Sequence, residues 1–84
     1  MFLHLGNDQT VPYEDILAII DLEKNNQQRQ LVDQYTKQGK TMVEIVAPRK
    51  AKALVISVST IYLSPISSIT LARRAENEDY MNEL

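Results

Sequence analysis

The chain has 84 residues and carries 9 Lys plus Arg against 11 Asp plus Glu, a formal net charge of −2. It contains no Cys and no Trp, so disulfide staples and thiolate metal sites are excluded. Its 44% hydrophobic and 24% charged residues are the balance of a folded domain, and the length allows one small core.

The amino end lacks the basic start and long apolar run of a secretory signal. The longest unbroken apolar run, residues 16–20, is too short to span a bilayer. The expectation is a cytoplasmic protein with no membrane partner.

In chain order, residues 2–5 read as a short strand ended by the turn cluster Gly6-Asn7-Asp8. Residues 16–20 read as a second strand, apolar on both faces and therefore central. Asn25 or Asn26 offers a cap for a helix over residues 27–38, with Leu31, Val32 and Tyr35 as its apolar stripe. Arg29/Asp33 and Asp33/Lys37 sit one turn apart on its exposed side, and Gly39 follows where a left-handed residue ends a helix. A strand over residues 42–46 is broken at 47–51. Strands over 52–57 and 60–64 then form a hairpin that Pro65 ends. Ser67 or Ser68 caps a last helix through Ile69, Leu71 and Ala72 to Arg74. These elements predict an α+β fold: a small, mostly antiparallel sheet with one main helix and a short carboxyl-terminal one. Residues 1–75 form the single domain, and 76–84 are expected to be a flexible acidic tail.

Leu54, Ile56 and Val58 point one way from their strand while Ala53 and Val55 point the other. Either the two helices and the loops cover both faces, or copies of the chain do. So sparse a helical complement favours copies, hence a homo-oligomer.

Catalysis finds little support. His4 is the sole histidine, read as a half-buried strand residue without a second metal ligand. Glu14 and Asp15 are adjacent and splayed apart. Ser57, Ser59, Ser64, Ser67 and Ser68 occupy no nucleophile elbow, and Gly6 and Gly39 are isolated. No enzyme activity, cofactor, metal or small-molecule substrate is expected.

Charge is sorted along the chain. Residues 1–44 sum to −3, residues 45–75 to +5 with no acid, and residues 76–84 to −4. Within the basic block, Arg49 and Lys50 follow Pro48, and Lys52 would share a face with Lys50 if the strand began there. Guanidinium and ammonium groups on a protruding loop suit phosphate oxygens, although three such charges can also be simple solubilising residues. Arg73 and Arg74 are second candidates, with favourable placement at a helix carboxyl end as the other explanation.

Several segments together resemble a known family. Phe2-Leu3-His4-Leu5-Gly6, Ile16-Leu17-Ala18-Ile19-Ile20-Asp21 and Gly39-Lys40 are similar to the bacterial extracellular matrix regulators of the RemA/RemB type. So are Ala47-Pro48-Arg49-Lys50-Ala51-Lys52-Ala53-Leu54-Val55-Ile56 and Tyr62-Leu63-Ser64. The length, the Leu-Gly opening and the Gln-rich helix resemble the RemB branch most.

The resemblance implies a cytosolic DNA-binding activator of biofilm-matrix genes, assembled as a ring of identical subunits with duplex DNA around its rim. The family's paired arginines fall on Arg49 and Lys50, and its next basic residue on Lys52. A further family arginine falls on Asp15, where this chain has an acid. Two readings follow. One is a ring-repeated binder of double-stranded DNA that reads shape rather than base edges. The other is an oligomeric protein–protein scaffold, or a partner of a more basic RemA-type paralogue, without DNA contact.

Overall fold

Two strands that run the same way at opposite edges of one sheet can be joined only by a crossover, and that requirement sets this fold. A computed structural model describes residues 1–24 and 26–83, with side chains described to Glu76. Strands β1 (Phe2–Gly6) and β2 (Gln9–Pro12) form a hairpin. Strands β3 (Ile16–Asp21), β4 (Thr41–Glu44), β5 (Ala53–Ser57) and β6 (Thr60–Ser64) form a mixed sheet of order β3-β5-β6-β4. The β3–β5 and β5–β6 pairs are antiparallel, and β4–β6 is parallel. Helix α1 (Gln28–Lys37) is the crossover from β3 to β4, and α2 (Ser68–Glu83) closes the chain. Short 3-10 turns occupy Tyr13–Asp15 and Pro48–Lys50.

The layers are hairpin with α2, then sheet, then α1. Leu3, Leu5, Val11 and Leu71 meet Ala53 and Val55 on one face of β5. Leu31, Val32 and Tyr35 of α1 pack with Leu54, Ile56, Ile61 and Leu63 on the other. All five residues of β5 are therefore buried. One chain thus covers both faces of its central strands, with the hairpin as an added covering layer, while the surplus of apolar surface expected over residues 16–20 persists at Leu17 and Ala18. Val58 leaves the alternation, lying beyond β5 in the turn and 59% exposed.

The centrality expected of residues 16–20 belongs to β5 instead. β3 bonds only to β5, so its far side is open; Leu17 is 62% exposed and Ala18 is exposed too. β2 was not foreseen because Val11 is its only buried residue and Pro12 ends it. The hairpin turn needs positive φ at both central residues, and Asn7 (φ 45) and Asp8 (φ 64) supply it.

Helix ends follow local chemistry. The N-cap of α1 is Gln27 rather than Asn26, and Asn25 lies outside the described residues. At the other end Gly39 (φ 96) allows a Schellman motif. There the Lys40 N–H donates to Tyr35 O at 3.1 Å and the Gly39 N–H to Thr36 O at 3.0 Å. Ser67 caps α2, its Oγ accepting from the Thr70 N–H at 3.2 Å. The backbone of α2 continues to Glu83, past the expected end at Arg74, so this helix is not short. The side chains of residues 77–83 and all of Leu84 lie outside the described residues, and with them most of the expected acidic tail. Among the described residues, no helix is long and apolar enough to cross a membrane.

Gly6 and Gly39 separate two requirements. Both need positive φ, but a Cβ on Gly6 would also stand 3.1 Å from Pro65 Cγ, while one on Gly39 meets nothing within 4 Å. Gly6→Ala should cost about 2 kcal/mol or more and Gly39→Ala about 1 kcal/mol. Urea midpoints of the two variants check this; equal losses would mean the Pro65 contact is immaterial.

Candidate nucleic-acid interface

The basic segment is held where it is by topology. β4 pairs with β6, but the next strand, β5, lies on the far side of β6, so residues 45–52 must pass over the end of β6. Both ends of that bridge are tied down. The Ile45 N–H donates to Leu63 O at 3.1 Å and the Lys52 N–H to Ser64 O at 2.8 Å. Two further bonds clamp the ends: Asn7 Nδ2 donates to Ile45 O at 3.2 Å, and the Leu22 N–H to Lys52 O at 3.0 Å.

Between the ties the backbone satisfies itself. Ala47 is extended (φ −55, ψ 143), as a residue before proline prefers, and Pro48 opens the 3-10 turn. The Lys50 N–H then donates to Ala47 O at 2.8 Å and the Ala51 N–H to Pro48 O at 3.2 Å. The result is a closed, tethered turn with Arg49 and Lys50 on its outside and Lys52 just beyond. All three side chains are exposed, and among the described residues none is paired with a carboxylate, Glu44 included. Lys50 and Lys52 do not share a strand face, because Lys50 closes the turn and β5 begins only at Ala53. Three exposed cations within four positions, none in an ion pair among the described residues, form a basic lip.

Arg73 and Arg74 are not part of that lip. They lie in the middle of α2, not at its carboxyl end, so placement against the helix dipole does not explain them. Arg74 Nη1 donates to His4 O at 3.4 Å, on the hairpin side of the sheet, whereas the lip borders α1 on the other side. His4 itself is exposed, not half-buried. Among the described residues no group of His, Asp or Glu side chains could hold a metal ion.

Asp15 is also remote. It precedes Ile16, which pairs with Ser57, while the lip enters β5 at Ala53. At roughly 3.4 Å per residue that is about 14 Å, beyond the screening length of about 10 Å at 0.1 M salt. Its charge therefore does little to the potential at the lip.

Two cations have roles the sequence reading missed. Lys40 is structural: its Nζ donates to Ser57 O and Val58 O, both at 2.7 Å, holding the β5–β6 turn. Arg29, read only as a surface partner of Asp33, borders the same cleft as Arg49 between α1 and the 3-10 turn. Its place in the first turn of a helix, against the dipole, was the available signal.

Arg49→Ala and Lys50→Ala should each leave stability within about 0.5 kcal/mol of the parent. Lys40→Met, losing two charge-assisted bonds, should cost about 1–2 kcal/mol. Chemical denaturation of the three variants separates lip cations from the structural one.

A family model described as RemA-like, extracellular matrix regulatory protein A-like, matches residues 2–75. The chain is also 37% identical over 76 residues to extracellular matrix regulatory protein B of Bacillus subtilis (strain 168), covering 90% of this chain and 91% of that protein. On both grounds the chain belongs to the RemA-like family of extracellular matrix regulatory proteins.

Proposed function

We propose that this regulator acts in the cytoplasm by binding double-stranded DNA through Arg49, Lys50 and Lys52, controlling genes for biofilm extracellular matrix. The observation that carries the reading is the lip: three exposed cations, in no ion pair among the described residues, on a bridge fastened at both ends. Each subunit contacts two or three phosphates, too few to hold a duplex alone. A ring of copies repeats the contact along one continuous DNA, and linked weak contacts add through effective concentration. The open edge of β3 supports contact between copies, since Leu17 and Val58 are exposed there and the Val58 N–H bonds to Asp15 O at 3.0 Å. The lip offers charge to phosphates and no base-reading pattern, so on this reading promoter preference comes from DNA shape and bendability. Arg73 and Arg74 belong to a second, weaker contact if the duplex reaches α2.

The scaffold reading, in which the protein partners itself or a more basic RemA-type paralogue, draws on the net charge of −2 and on the exposed β3 edge. Fluorescence anisotropy with a long duplex separates the two. DNA binding predicts saturable association at low salt, weakened as salt rises by roughly 0.9 log units per log unit of salt for each phosphate contact. The Arg49→Ala/Lys50→Ala double variant should lose that binding while light scattering finds the same oligomer. An intact oligomer that never binds duplex would leave the scaffold. A stable monomer at micromolar concentration would defeat the ring under either reading.

A further inference from the structure

The cleft between α1 and the Pro48–Lys50 turn has a volume of about 440 Å³, within the usual range for small-molecule sites. Its floor is apolar: Val32 from α1, Met42 from β4, Pro48 from the turn and Leu63 from β6. Val32 and Met42 are only half-buried, so apolar surface remains open to a ligand. Its rim carries two guanidinium groups from different elements, Arg29 of α1 and Arg49 of the turn, against the single carboxylate of Asp33. Arg29 and Arg49 are both exposed and, among the described residues, neither is paired with a carboxylate.

That arrangement is more than a solvated surface needs. Arg29 stands in the first turn of α1, where no acid accompanies it and a cation opposes the helix dipole. An anion placed between Arg29 and Arg49 relieves that opposition and takes charge-assisted hydrogen bonds from both. An apolar body attached to the anion covers Val32 and Met42, and an aromatic one can also stack on a guanidinium face.

We infer that this cleft binds a small amphipathic anion: an apolar, preferably planar body carrying one carboxylate, sulfonate or phosphate group. The ligand is read as a bound effector held by charge and apolar contact. If Arg49 also grips DNA, as proposed above, the two ligands compete for it and each weakens the other by the same factor.

The probe is 1-anilinonaphthalene-8-sulfonate, an aromatic body with one anionic group, titrated into the full chain and followed by its fluorescence. Saturable binding is expected, at least fivefold weaker in Arg29→Gln and in Arg49→Gln, and tighter in Asp33→Asn. Inorganic sulfate, which lacks the body, should displace it only at far higher concentration. Val32→Trp should block the cleft, with circular dichroism confirming the fold. Binding indifferent to all four substitutions, or abolished instead by Leu17→Ser at the β3 edge, would overturn the site. These titrations contain no DNA, so they stand or fall apart from the DNA reading. Adding duplex then tests the competition separately: a bound probe that duplex does not displace removes the coupling and leaves the site.

Discussion

The parallel pairing of β4 with β6 is the constraint from which the exposed basic bridge follows. Because β5 lies beyond β6, the chain leaving β4 must bridge the end of its neighbour before it can re-enter the sheet. A bridge of that kind stands off the packed body, and its polar backbone has to find partners without a strand beside it. Here the two terminal N–H groups bond to the last residues of β6, and the turn between them closes on itself. Exposure and rigidity usually oppose one another in a loop. In this one they coincide, which is what a surface for a polyanion requires if binding is not to cost much ordering entropy.

The rest of the molecule serves to hold that bridge. The hairpin tip reaches it through Asn7, and Ser64, which receives Lys52, also donates its Oγ to Leu5 O at 2.8 Å. Gly6 lies against Pro65 at the same junction, so hairpin, sheet and bridge meet at one point. Burial of β5 between two apolar layers then fixes the end of the bridge as firmly as any part of the core. Charges are arranged with the same economy: Lys40 is spent on the β5–β6 turn, while Arg49, Lys50 and Lys52 are left unspent.

Much of this was legible in the residues. The Leu31, Val32 and Tyr35 stripe, the left-handed Gly39, the hairpin of β5 and β6, and the Ser67 cap each rest on local chemistry, and the structure contains them all. What failed to show was relational. An apolar run such as residues 16–20 states that burial is wanted but not which neighbour supplies it, so nothing in it marks β3 as the edge strand it is. β2 has a single inward residue and no periodicity to detect. Arg29 and Arg49 are 20 positions apart in sequence, and only the crossover of α1 over the sheet brings them to one cleft. The lip itself was visible as a run of cations, but its fastening at both ends was not.

Lysine footprinting tests the central claim most directly, because it reads single side chains whatever the size of the assembly. Acetylation followed by mass spectrometry, with and without a long duplex at about 50 mM salt, compares Lys50 and Lys52 with Lys37 at the far end of α1. The account predicts slowed modification of Lys50 and Lys52 on adding DNA and an unchanged rate at Lys37. Unchanged rates at Lys50 and Lys52 in a sample where duplex is bound would contradict it.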